Sequence, residues 1–330
     1  VSNAGGLGIL GAARLSPEQT REQIQAIKSM TDKPFGVNFL VAPPQPNDQD
    51  IRTVQKTLDT FRQELGINPS IHDNITVPPS RLPEQLDIVF EEKVPVLSFA
   101  LGDPSRFVKQ AHEAGAKVMA MVTTVEEAKK VADAGCDVVV AQGSEAGGHR
   151  STFEIPKDGA VPLVGTMALV PQVVDAAKVP VVAAGGIMDG RGIAACLALG
   201  AQGVQLGTRF LAANESGAFL AYKLRMLGAA ETDTVITSAF TGRPARSIRN
   251  KFITEFEKAG VAPLSWPLQG LAADDIYKTA WAKNNANYFP ILAGQGLRLL
   301  KSGQGAAEIM AELVKETRES VVKLTKLTYL

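Results

Sequence analysis

The chain holds only two cysteines and three histidines in 330 residues. Cys136 and Cys196 both sit in apolar stretches, so a disulfide framework is excluded and both read as reduced core thiols. Basic and acidic residues balance at 34 each. Without a basic excess, neither nucleic acid nor an anionic membrane surface is an expected partner. No uninterrupted apolar run is long enough to span a bilayer and no signal peptide is visible, so a cytoplasmic location is expected. No group of His, Cys, Asp or Glu has metal-ligand spacing, and no Gly-x-Ser-x-Gly nucleophile turn is present. The chain does not open on methionine. Val1-Ser-Asn-Ala-Gly-Gly6 reads as a helix end running into a turn, and a further N-terminal segment is expected ahead of it.

What is present is a repeating pattern. A hydrophobic share of 45% and a charged share of 21% suit a globular protein with a sizeable core. Short β-branched runs fall at Leu7–Leu10, Phe35–Val41, Val94–Ala100, Lys117–Val122, Asp137–Ala141, Val179–Ala184 and Gln202–Leu206. Helical stretches separate most of them, which implies βαβ units and a parallel sheet. An open doubly wound sheet competes, but it would place its glycines at the first strand–helix turn. Here they cluster after the last three runs, as in a TIM (β/α)8 barrel whose first strand lies ahead of Val1. Residues 1–212 are expected to form that barrel, with an insertion at 42–92 that starts on Ala42-Pro-Pro-Gln-Pro46. Residues 213–290 are expected to be a small helical subdomain over the catalytic face. Residues 291–330 would return to the barrel, ending in a helix from Ala306 to about Leu327.

The chemistry-bearing stretch is Ala141-Gln-Gly-Ser-Glu-Ala-Gly-Gly-His149-Arg150, directly after the apolar run. Catalytic residues of barrels come from strand C-termini, and imidazole is suited to accept a proton near neutral pH. His149 could instead only hold loop backbone. Gln142, a polar residue ending an apolar strand, needs a partner. Gly185-Gly186 and Gly207-Thr208 follow the next two strands, where backbone amides can approach one phosphate dianion; the alternative is that they merely close tight turns. Glu145 reads as a turn or salt-bridge residue, Arg209 as an ion-pair residue at the barrel rim, and His72 and His112 as structural.

Together with Pro34-Phe-Gly-Val-Asn38 and Ala293-Gly-Gln295, these motifs resemble the nitronate monooxygenase family, long called 2-nitropropane dioxygenases. The Gln-Gly-x-Glu-Ala-Gly-Gly-His element is shared with the related flavin-dependent enoyl-ACP reductases. The resemblance covers nearly the whole chain. It implies FMN as cofactor, with Gly185, Gly186, Gly207 and Thr208 at its phosphate. Asn38, Gln142, Gly147 and Gly148 would line the flavin ring and ribityl chain, and Gly294 and Gln295 would close over it. It implies His149 as the base that removes a proton α to a nitro group. The substrate would be a nitronate or nitroalkane, with O2 as co-substrate and nitrite and a carbonyl compound as products; the oligomeric state is left open. An NAD(P)H-dependent flavin reductase of enoyl-ACP or quinone type stands as the second reading, and a non-catalytic barrel for a phosphorylated ligand as the third. Family members with the clearest nitronate activity tend to carry histidine after the mid-barrel Ser-Phe, where this chain has Ala100. They also tend to carry tyrosines and a lysine ahead of Ala-Gly-Gln, where it reads Trp266-Pro-Leu-Gln269.

Overall fold

The computed structural model describes residues 1–69, 74–156 and 159–326. Its main sheet holds seven parallel strands: β1 (Gly8–Gly11), β2 (Phe35–Leu40), β3 (Val96–Ala100), β4 (Lys117–Val122), β5 (Val138–Gln142), β7 (Val181–Ala184) and β8 (Gly203–Gln205). They pair in chain order, β1-β2-β3-β4-β5-β7-β8. A second, antiparallel sheet joins β6 (Gly148–His149), β10 (Ala245–Ile248) and β9 (Thr234–Thr237) in that order.

Strand alternation sorts the side chains of the main sheet onto two faces. Met119, Val140 and Ala184, with Met121, Val138 and Val182 against them, form a small inner cluster. Val118, Ala120, Val139, Ala141 and Ala183 point the other way, into the large core shared with the outer helices. Those helices are α1 (Pro17–Met30), α3 (Leu82–Glu91), α4 (Ser105–Glu113), α5 (Val125–Asp133), α6 (Thr166–Ala177) and α7 (Gly190–Ala198), while α2 (Ile51–Leu65) lies apart from them. Local chemistry sets their starts. Ser16 caps α1 in a capping box with Gln19, and Thr124 does the same for α5 with Glu127.

The seven runs read from the sequence are the seven strands found. Seven strands are expected in this chain, with the eighth of a closed barrel ahead of Val1; among the described residues no ladder joins β8 to β1, so the sheet is a curled, TIM-like half-barrel. Two further features differ from expectation. Within 42–92, α3 belongs to the main core, its buried Gln85 donating to Ala12 O at 2.9 Å and Leu15 O at 3.1 Å. Helix α2 instead joins a second, aromatic core with α10 (Lys251–Lys258) and α12 (Asp274–Ala282). There Phe61 and Phe252 lie 4.8 Å apart. Buried Arg62 pins α2 across to Asp275 at 2.8 Å. Segment 213–290 is not purely helical, since β9 and β10 lie within it and carry β6 of the main unit.

The last helix, α13 (Ala306–Thr325), packs on α7, where an added Cβ on Gly190 would lie only 2.2 Å from Glu316 backbone. Among the described residues no helix is long and apolar enough to cross a membrane.

Candidate active site

Strand β5 is built from valines whose branched side chains favour the pleat, and it ends on Gln142. The buried Gln142 amide turns back on the following loop. Its Nε2 donates to His149 O at 3.0 Å, and its Oε1 accepts from Ser151 N at 2.9 Å. Buried Arg150 closes the same loop, donating to Gly143 O at 2.7 Å and Gln142 O at 3.1 Å. Gly147 is required by close approach: a Cβ there would stand 2.5 Å from Ala293 C and Gly294 N. The loop and the 293–295 segment are therefore locked together, with Gln295 N donating to Glu145 O at 2.9 Å.

His149 leaves this loop as part of β6, opposite Ala245 of β10. Its Nε2 lies 2.8 Å from Thr241 Oγ1. The ring meets Trp266 edge-on, with centroids 5.5 Å apart. Burial, then the cations of Arg243 and Arg14, bring the imidazole pKa down to about 4. It is neutral at physiological pH.

Beside His149 is a cavity of about 270 Å³. Gln142, Gly147, Gly148, Gly185, Gly186, Gly207, Thr208 and Gly294 all border it, while Asn38, His149 and Gln295 are not in its wall. Asn38 instead donates to Ser98 Oγ at 3.0 Å on the next strand. Thr208 Oγ1 accepts from Gly294 N at 2.9 Å, so its side chain ties the C-terminal segment to the end of β8.

The cradle fits a phosphate-bearing group such as FMN. Gly185 and Gly186 turn at φ of 115° and 70°, and the space where a Gly207 Cβ would stand is open. Among the described residues the Gly186 and Gly207 amides have no acceptor. Gln205 Oε1, in the same wall, is buried without a partner. Two bare turns supply donors, and the orphaned oxygen can accept from a ligand N–H or O–H.

Glu145 accepts from Thr166 N and Oγ1, at 2.9 Å to its Oε2, and so caps the start of α6. Arg209 is a buried ion-pair residue, 2.8 Å from Glu312. His112 pairs with Asp137 at 2.8 Å on an exposed face; His72 lies outside the described residues. A larger hollow of about 520 Å³ lies along α7 and α13, but the glycine turns are not in its wall. Two ion pairs lie within it, Arg191 with Asp189 and Lys301 with Glu312.

The sequence points to Trp266 as a departure from the family pattern, but not to Thr241 or Arg243 as neighbours of His149. The usable signal was Thr241-Gly-Arg-Pro244, a turn motif after the β-branched Thr234–Thr237. Nothing local to it pointed at a histidine 92 residues away.

Comparisons with known proteins identify the family. The sequence profile described as nitronate monooxygenase matches residues 1–316. A probable nitronate monooxygenase of Staphylococcus saprophyticus is 39% identical over 325 residues, spanning 97% of this chain and 90% of the relative. That of Staphylococcus haemolyticus is 38% identical over 320 residues, 96% of this chain and 89% of the relative. The nitroalkane oxidase structure from Streptomyces ansochromogenes superposes with a TM-score of 0.88 at 35% identity, covering 98% of this chain and 92% of that one. FabK from Thermotoga maritima superposes with a TM-score of 0.76 at 32% identity, covering 98% and 89%. The chain belongs to the nitronate monooxygenase family of FMN-dependent oxidoreductases.

Proposed function

We propose that this chain binds FMN in the 270 Å³ cavity and oxidises alkyl nitronates and nitroalkanes with O2 to a carbonyl compound and nitrite. The single observation that carries the reading is the cavity wall, in which the bare Gly186 and Gly207 amides share one hollow with Gly148, the residue next to His149. Gly185, Gly186, Gly207 and Thr208 would hold the phosphate of FMN. Gln142, Gly147 and Gly148 would border the ring and ribityl chain, with Gly294 covering them; Asn38 and Gln295 would complete the site from outside the present wall. When bound, FMN supplies the one-electron chemistry that links the nitronate to O2.

The protein's own part is proton transfer and exclusion of water. His149 takes the proton α to the nitro group as a neutral base. Gln142 holds the backbone that carries it, and Trp266 shields the ring edge.

The test is nitrite release by the FMN-loaded protein and its His149→Ala variant. Loss of turnover on nitroethane with ethyl nitronate turnover largely kept is expected, because the nitronate has already lost its proton. Equal activity of the variant on both substrates would remove the role. The likeness to FabK supports a reductase as second reading. Rapid bleaching of the flavin by NADH under anaerobic conditions would favour it over the oxidase.

A further inference from the structure

Thr241 sits in the turn between β9 and β10, buried, with three groups around its hydroxyl. Arg243 O lies at 3.3 Å, Arg243 N at 3.4 Å and His149 Nε2 at 2.8 Å. A hydroxyl has one hydrogen to give and two lone pairs to receive. Arg243 O can only accept, is buried, and has no other donor among the described residues. Giving the hydrogen to Arg243 O leaves the two lone pairs for Arg243 N–H and for a hydrogen on Nε2. All three neighbours are then satisfied. Giving it to Nε2 instead strands a buried carbonyl, the costlier arrangement. The Nδ1 atom of His149 has no partner among the described residues.

We propose that Thr241 is a positioning residue that holds His149 as its Nε2–H tautomer, so that the carbon-acid proton is taken at Nδ1. This rests on His149 being the base. In the step, the C–H bond breaks, its electron pair stays on the substrate as the nitronate, and the proton forms the Nδ1–H bond. Thr241 touches neither substrate nor cofactor in this scheme; it acts through the ring.

The tautomer is read directly from the FMN-loaded full chain labelled with 15N-histidine, near neutral pH. With three histidines in the chain, the His149 signals are those that vanish in His149→Gln. The expected spectrum shows a proton on Nε2 and none on Nδ1. Thr241→Val should lower kcat/KM for nitroethane about 10-fold, a part of what a general base contributes, and change ethyl nitronate turnover less than about twofold. Thr241→Ser keeps the hydroxyl and should restore nitroethane turnover to within about threefold.

A proton on Nδ1 in the wild-type spectrum overturns the Thr241 role while leaving the base assignment standing. An unchanged nitroethane rate in Thr241→Val, or an equal loss on both substrates, overturns it as well. Retained nitroethane turnover in His149→Ala sinks the base assignment and the Nδ1 transfer with it, whatever tautomer the spectrum shows.

Discussion

The pKa of His149 makes a stability prediction that needs no substrate. In the unfolded chain the imidazole titrates at its ordinary 6.5, and in the fold it is held down to about 4. Between those values the unfolded chain binds the proton and the fold does not. Stability from this group is therefore complete above pH 6.5 and is lost as pH falls towards 4. With about 1.36 kcal/mol per pKa unit, integration down to about pH 5 leaves a loss of about 2 kcal/mol, while most carboxylates stay ionised. The perturbation is His149→Gln, which keeps a polar side chain and removes the titration. Urea unfolding of both proteins, with FMN saturating, is followed at about pH 7.5 and about pH 5. The wild type should lose about 2 kcal/mol more than the variant across that interval. Equal losses would mean that the imidazole is not held neutral by the fold, and the argument for a neutral base would fall with it.

Other perturbations test neighbouring parts of the reasoning. Gly185→Ala places a methyl at φ of 115° and 3.0 Å from Thr166 Oγ1, so FMN affinity should fall, seen as a flavin-fluorescence titration shifted by about 10-fold or more at a strain cost of about 1–3 kcal/mol; unchanged binding would remove this turn from the cradle. Cys136, whose thiol burial pushes up to about 12, and Cys196, raised for the same reason, should stay unlabelled by a thiol reagent until the protein is denatured. Arg243→Met should raise the His149 pKa and move the acid limb of the pH profile upward, and a limb that stays in place would show that the Arg243 cation does not set it.

The parts legible in the sequence were those whose cause is local. Val138–Gln142 is a strand because its branched side chains say so over five residues. The bare turns at Gly185 and Gly207 follow from strand ends and missing Cβ atoms. What escaped depends on distant partners. Strand β6 is two residues long and exists only because β10 lies alongside it. Periodicity cannot reveal a two-residue strand. The need of Gln142 for a partner could be read from its apolar neighbours. That the partners are His149 O and Ser151 N required the loop to be folded. Likewise α3 and α2 share an insertion-like context in sequence, yet one packs under the sheet and the other joins an aromatic core built mainly from residues beyond 235.

The charges around His149 bear on why so weak a base could serve. Arg150, Arg243 and Arg246 are all buried, and their side chains donate to carbonyls and to Thr234 Oγ1 rather than to carboxylates. Burial lowers Arg150 and Arg243 to about 10, which leaves both cationic at neutral pH. Glu127 and Glu145 are near, but their oxygens are engaged by Thr123, Phe153 and Thr166. Three buried cations against two carboxylates leave positive potential at the loop, to which exposed Arg14 adds. That potential opposes an imidazolium and favours an anion by the same Coulomb interaction. On the proposed reading, proton transfer creates both at once. The cations that add to burial in making His149 reluctant to accept a proton also stabilise the nitronate left behind, so its low pKa in the substrate-free fold understates the base strength available once the anion forms.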